Sequence, residues 1–268
     1  MIIVGELINA SRKKIKEAID KADDVAIKDI ASNQVKAGAD YVDVNAGVYV
    51  GEEPEKLVWL VQNVQSVVEK PLALDSPDPK AIEAAMAAHN NSWGPPMLNS
   101  ITMEKDRWEK LSPVIANTEM KIVSLCMSDA GMPTTAVDRL KIAGDLVSGL
   151  TALNIPLDNI YIDPCVQPVG TNDSFGIEFL KAVTETKAKF PGVHIMCGLS
   201  NISFGLPERK FLNRIFMGQA ILSGLDGAII DPLDGPMMGT IAGATALAGN
   251  DKGCRKYLKA FRAGLVKA

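Results

Sequence analysis

Histidine is nearly absent from this chain: His89 and His194 are the only two in 268 residues. They are too few and too far apart for a histidine-based metal site. Cysteine is sparse too, and the spacing of Cys126, Cys165, Cys197 and Cys254 fits neither zinc nor iron–sulfur ligation. Three of the four fall in or beside expected strands, which reads as buried, reduced thiols. Basic runs are missing: 28 Lys and Arg are spread along the chain against 32 acidic residues, which argues against a nucleic-acid groove. No stretch approaches the roughly 18–20 apolar residues that a membrane span needs. The opening Met1-Ile2-Ile3-Val4-Gly5-Glu6 lacks the basic region of a secretion signal and is broken by Glu6, so it reads as a first strand. These absences predict a soluble, cytoplasmic protein with no metal site, no nucleic-acid partner and no membrane partner.

What is present is an alternation of short apolar runs with longer helical patterns. Strands are expected at 2–8, 41–45, 72–75, 97–99, 121–127, 160–163, 193–199 and 227–231. Between them lie helical patterns at 25–37, 80–89, 103–117, 135–153, 174–189 and 208–222, then 237–247 and 252–265. A further helix opens at Pro54, a residue tolerated in a first turn, with Leu57, Leu60, Val61, Val64 and Val68 as its stripe. Asp78-Pro79 reads as a cap and first helical residue. Eight strand–helix units in 268 residues predict one (β/α)8 barrel domain over 1–268. An open doubly wound sheet is the competitor, but no G-x-G-x-x-G follows the first strand.

Chemistry in such barrels sits at the C-terminal strand ends. The expected end residues are Asn9, Asn45, Asp75, Asn99, Met127, Asp163, Asn201 and Asp231, with Glu6 and Asp43 deeper in the first two strands. Asp and Asn also serve as turn and cap residues, so any one of them has a bland explanation. A ring so rich in them, with no Lys or Arg at a strand end, suits a neutral heterocycle with a donor/acceptor edge. A magnesium site from Asp163 and Asp231 is the metal alternative.

Several segments then align with one family. Gly5-Glu6-Leu7-Ile8-Asn9, Asp43-Val44-Asn45-Ala46-Gly47, Leu74-Asp75-Ser76, Met97-Leu98-Asn99-Ser100 and Tyr161-Ile162-Asp163-Pro164 occur in order, followed by the long run from Gly198 to Arg209. The chain resembles the pterin-binding barrel family. That family contains dihydropteroate synthase, the folate domain of cobalamin-dependent methionine synthase and the methyltetrahydrofolate:corrinoid methyltransferases. The run Gly198-Leu199-Ser200-Asn201-Ile202-Ser203 is similar to the methyltransferase branch. Dihydropteroate synthases resemble one another in a lysine-bearing strand-seven motif and a late Arg-x-His. Asn201 and Asp231-Pro232-Leu233-Asp234 stand here instead. The chain departs from many relatives at Leu7, where they carry Arg, and in a longer 91–96 loop.

The resemblance implies methyl transfer between a corrinoid and tetrahydrofolate, with a slight preference for methylcorrinoid as donor. It implies that Asp75, Asn99 and Asp163 hold the polar edge of the pterin, with Gly198 and Ser200 adding contacts. Ile229 either packs on the ring face or is plain barrel core, and Arg209 either meets substrate or is an exposed first-turn residue. Asn201 is implied to hydrogen-bond nitrogen 5, which carries the methyl group, with Asp43 or Glu6 assisting a proton through water. The corrinoid is expected on a separate partner protein, because neither histidine sits in an Asp-x-His-x-x-Gly pattern, and a homodimer is expected by resemblance. A non-catalytic folate-binding protein, which need not keep Asn201, and dihydropteroate synthase are the alternatives.

Overall fold

The computed structural model describes residues 1–266, so the last two residues of the expected 1–268 domain, Lys267 and Ala268, lie outside the described residues. The strands are β1 (Ile2–Asn9), β2 (Tyr41–Asn45), β3 (Leu72–Asp75), β4 (Met97–Met103), β5 (Lys121–Ser128), β6 (Ile160–Asp163), β7 (His194–Gly198) and β8 (Gly227–Ile230). All neighbours are parallel and the sheet closes β1 onto β8, which makes a (β/α)8 barrel. Helices α1 (Lys13–Asp20), α2 (Asp24–Lys36), α3 (Glu53–Gln65), α4 (Pro79–Ala88), α5 (Lys105–Ile115), α6 (Ala136–Ala152), α7 (Phe175–Lys189) and α8 (Arg209–Ser223) separate the strands. Helices α9 (Gly235–Leu247) and α10 (Arg255–Arg262) follow β8. No helix among the described residues is long and apolar enough to cross a membrane.

Local signals explain the starts of several helices. Asp78 caps α4 by accepting Lys80 N–H at 3.0 Å, and Thr135 caps α6 by accepting Asp138 N–H at 3.2 Å. Pro54 and Pro79 occupy first-turn positions where their missing N–H costs nothing. Helix α1 was not expected, because its buried set is only Ile15, Ala18 and Ile19 on eight residues.

The two faces of each strand divide the core. One set of side chains meets the surrounding helices, and this outer core includes Ile3, Val42, Leu72, Leu98 and Ile122. The other set fills the barrel: Val4, Tyr41, Ala73, Met97, Val123, Tyr161 and Met196, with Ile2 and Ile229 against them. Strand side chains repeat on one face every second residue. Two residues beyond this apolar layer, the same inward face therefore carries Glu6, Asp43, Asp75, Asn99, Leu125, Asp163, Gly198 and Asp231.

This alternation corrects the expected strand ends. β4 runs on to Met103, β5 ends at Ser128, β7 at Gly198 and β8 at Ile230. Buried Ile101 and Thr102 keep β4 going past Asn99 through two register shifts against β5. Asn201 belongs to a 3-10 segment (Leu199–Ser203) and Asp231 to the turn after β8. Asn9 is a turn former, with its oxygen accepting Ser11 N–H at 3.0 Å. β1 carries a one-residue bulge between Gly5 and Ile8. Gly5 fits there because a Cβ would clash with the buried Gln34 side-chain oxygen, which itself accepts Leu7 N–H at 3.0 Å.

Candidate active site

The inward polar layer is assembled from neighbouring strands in register. Asn45 pairs with Asp75, and Asp75 with Asn99, across β2, β3 and β4. The Asn45 amide donates to the Asp75 backbone carbonyl at 3.1 Å. The Asn99 amide nitrogen donates to Asp43 Oδ1 at 3.1 Å, which leaves its carbonyl oxygen for the mouth. Asp43 is the deepest member, only 2 % exposed.

Burial dominates the electrostatics of this layer. It pushes the Asp43 carboxyl well above the usual carboxylate range, and the nearby Asp75 and Glu6 charges push the same way against the Asn99 bond. Asp75 is pushed up to about 6 by burial, although the Asn45 amide and the Arg107 charge oppose this. Asp163 rises to about 7 through burial, even though the N–H groups of Cys165 and Gly198 and the Arg139 charge favour its ionised form. Glu6 is also raised by burial, with Arg12 opposing and Asp231 adding. Asp75 and Asp163 therefore titrate close to neutrality, and their ionised forms accept donors readily. Among the described residues, neither Asp75 nor Asp163 has an ion-pair partner.

A second group surrounds a cleft of about 440 Å³ beside β1, β7 and β8. Glu6, Ser200, Arg209 and Ile229 line it, together with Arg12, Asn213 and Asp234. Arg12 pairs with Glu6 at 3.0 Å. Arg209 is held by the Ser200 carbonyl at 2.7 Å and the Ser203 hydroxyl at 3.1 Å. Asp43, Asp75, Asn99 and Asp163 do not line this cleft, so the expected residues fall into two sets. Gly198 lies between the sets on β7, and a Cβ added there would meet no protein atom within 4 Å. Protein packing does not demand this glycine, and the space beside it is open to a ligand. Asn201 is exposed, and among the described residues no hydrogen bond holds its amide. Ile229 packs against the inner apolar layer and also lines the cleft.

Neither histidine belongs to the mouth. His89 Nε2 accepts the Leu72 N–H at 3.2 Å and its ring also meets Asn91 and Gln65, while His194 lies between Asp226 and Asp158 at the start of β7. Among the described residues, no group of three or more His, Cys, Asp or Glu is placed to hold a metal ion. Cys126, Cys165 and Cys197 are buried free thiols and Cys254 is exposed.

Three polar residues near the site were not expected. Arg107 on α5 bonds the Ser100 carbonyl just after Asn99. Arg139 on α6 is fully buried behind the β6–α7 loop. Asn213 is buried at the cleft with an unpartnered side-chain oxygen. The signal for Arg139 was its place on the apolar stripe with Ala136, Ala143, Leu146 and Leu150.

The closed parallel barrel with an inward crown of carboxylates and amides at its C-terminal face has the layout of a barrel enzyme. The chain matches the family described as pterin binding enzyme over residues 5–231, and it belongs to that family. It is 38 % identical to the methylcorrinoid:tetrahydrofolate methyltransferase of Eubacterium limosum over 268 residues, covering 99 % of this chain and 98 % of that protein. It is 29 % identical to the methionine synthase of Mycobacterium tuberculosis over 244 residues, covering 86 % of this chain but 20 % of that longer protein. Its fold is similar to a dihydropteroate synthase from Coxiella burnetii in complex with pteroic acid, with a TM-score of 0.70 at 16 % identity over 93 % of this chain and 94 % of that one. A dihydropteroate synthase from Xanthomonas albilineans superposes with a TM-score of 0.66 at 18 % identity over 92 % of each chain. At such identities the synthase likeness concerns the fold alone.

Proposed function

We propose that this chain is a methyltransferase that moves a methyl group between a protein-bound methylcorrinoid and tetrahydrofolate, with methylcorrinoid as the favoured donor. The observation that carries this reading is the 38 % identity to the Eubacterium limosum enzyme along essentially the whole of both chains. In this reading 1–268 acts as one domain, and the protein is a cytoplasmic homodimer. The dimer rests on family resemblance, and the location on composition.

The pterin enters the barrel mouth. Asp75 and Asp163 accept from its amino group and ring N–H, and Asn99 adds its free carbonyl oxygen. Burial makes these matches count, since a buried polar group left unpaired costs roughly 1–3 kcal/mol. Gly198 leaves room for the ring, Ile229 packs on its face, and Ser200 and Arg209 meet the folate along the cleft. Asn201 donates to nitrogen 5. An amide is no proton reservoir near neutral pH, so it stabilises charge developing at that nitrogen rather than acting as an acid. Glu6 and buried Asp43, both raised above the ordinary carboxylate range by burial, manage the proton through water.

The corrinoid supplies the cobalt centre between which and nitrogen 5 the methyl group passes in line. This chain's part is to hold the pterin and orient nitrogen 5 toward the mouth. His89 and His194 are bonded within the fold away from the mouth, which supports a corrinoid delivered by a separate protein. In dihydropteroate synthases, basic anchors hold a pyrophosphate; here Asn201 and Asp231-Pro232-Leu233-Asp234 stand in their places.

The test is an anaerobic optical assay with methylcobalamin and tetrahydrofolate. Enzyme- and folate-dependent loss of the methyl-Co(III) spectrum with appearance of Co(I) is expected. No change here, and none with methyltetrahydrofolate plus Co(I) or with a protein-bound corrinoid, contradicts the reading. Tight folate binding in that case favours a non-catalytic folate-binding protein.

A further inference from the structure

Behind the barrel wall, α6 carries a fully buried arginine, Arg139, at 0 % exposure. Its Nε donates to the Pro164 carbonyl at 2.7 Å and one terminal nitrogen donates to the Cys165 carbonyl at 3.3 Å. The other terminal nitrogen has no partner. Among the described residues, carbonyls and no carboxylate receive this buried cation, an expensive arrangement for a residue that only fills space.

The two carbonyls belong to the turn that follows Asp163. Cys165 adopts φ +62, a left-handed conformation rare for a non-glycine residue and held only where the surroundings impose it. The same turn brings the Cys165 N–H back onto Asp163 Oδ1 at 2.8 Å. Farther along the loop, Gln167 donates to the Pro133 carbonyl at 2.6 Å, a second anchor. The inner face of the turn thus presents Asp163 to the barrel mouth while its outer face is bolted to Arg139.

We propose that Arg139 is a positioning residue for Asp163: from behind the wall it locks the Pro164–Cys165 turn and so fixes the carboxylate that meets the pterin. The proposal rests on the folate reading above. Its charge acts in the same direction as its bonds, favouring the ionised form of Asp163. The other titratable groups facing Asp163 are Cys126 on β5, Cys165 on the turn and Cys197 on β7, and burial pushes all three thiols up, so they stay neutral. Glu178 on α7 and Asp138 on α6 are the acidic groups that act on Arg139.

The experiment compares tetrahydrofolate binding by calorimetry from pH 6 to 8.5 in wild type, Arg139→Met and Arg139→Lys, with circular dichroism as the check on folding. Arg139→Met is expected to move the pH midpoint of binding up by about one unit and to weaken binding about tenfold at pH 7. Arg139→Lys keeps the charge and loses the fork, so its midpoint stays while binding weakens about threefold at pH 8. A purely structural role does not move the midpoint. Folded Arg139→Met with wild-type affinity and midpoint overturns the proposal. If only Arg139→Lys folds, wild-type affinity at pH 8 overturns it, and if neither folds, Arg139 is a determinant of the fold instead. Wild type that fails to bind tetrahydrofolate overturns the folate reading, and this proposal with it.

Discussion

Asp226 and Asp163 stand at opposite ends of the same barrel and illustrate two uses of a desolvated carboxylate. Burial raises the pKa of each. At the N-terminal end, Asp226 collects Lys187 at 2.8 Å, His194 Nδ1 at 3.1 Å and the Ile195 N–H at 3.2 Å. These bonds outweigh burial and hold its carboxyl below the usual range. His194 is raised in turn by Asp226 and, against burial, by Asp158 at 2.9 Å, and it stacks on Tyr161 with centroids 4.7 Å apart. The lower cluster is complete within the fold. At the C-terminal end, Asp43, Asp75 and Asp163 are all raised, because the protein gives them fewer donors than burial demands. The lower cluster is satisfied within the fold, whereas the mouth carboxyls leave acceptor capacity that a ligand's donors would meet on the proposed reading.

On the proposed reading, mouth residues act on folate and lower residues act on stability. The largest effect is expected for Asn201→Ala. Removing the proposed donor to nitrogen 5 lowers the transfer rate about 100-fold, against less than about tenfold in affinity for tetrahydrofolate. Equal losses in stopped-flow rate and calorimetric affinity reduce Asn201 to a binding residue.

Next comes Asp75→Ala, which weakens tetrahydrofolate binding by about 1–3 kcal/mol, or roughly 5–150-fold. Because Asp75 is a raised, unpaired carboxyl, the melting temperature of the unligated protein holds or rises. Unchanged affinity by titration calorimetry removes Asp75 from the pterin edge. The mirror experiment is Asp226→Asn, expected to cost about 2 kcal/mol of stability. That is less than for a fully buried pair, because the Asp226 and Lys187 side chains are 28 % and 33 % exposed. Its folate affinity stays at the wild-type level, and a loss there erases the division between the two ends.

Much of this was legible in the sequence, and the misses share a cause. Strand patterns at 41–45, 72–75 and 160–163 coincide with β2, β3 and β6, because short apolar runs closed by Asn or Asp are unambiguous. Reading the site from strand ends placed Asp75 and Asp163 on the inward face but put Asn9 there too, which serves its own turn. The better rule was the alternation itself: Val4 predicts Glu6, Tyr41 predicts Asp43, and Met97 predicts Asn99. The extension of β4 past Asn99 was hidden by polar Ser100 and Thr102, which a strand buries only with tertiary partners. Arg107 carried no sequence signal and Arg139 only its place on an apolar stripe, because what they hold are backbone carbonyls brought close only by the closed barrel.

The pH dependence of folate binding tests the central claim most directly. In the unligated protein, Asp75 and Asp163 titrate at about 6 and about 7, above their ordinary value of 3.8. A raised carboxyl favours the folded state at low pH, and that contribution is lost as pH rises through the folded pKa, so unligated stability falls between about pH 4 and 7. Pterin donors favour the ionised forms. Tetrahydrofolate affinity is therefore expected to rise with pH through 6–7 and level off above, with release of about one proton near pH 6.5. Calorimetric titrations in two buffers of different ionisation heat measure that proton directly. Proton release that disappears on raising the pH to 8.5 is the predicted result. Binding with no proton exchange anywhere from pH 6 to 8.5 contradicts a mouth whose carboxylates wait for the pterin edge.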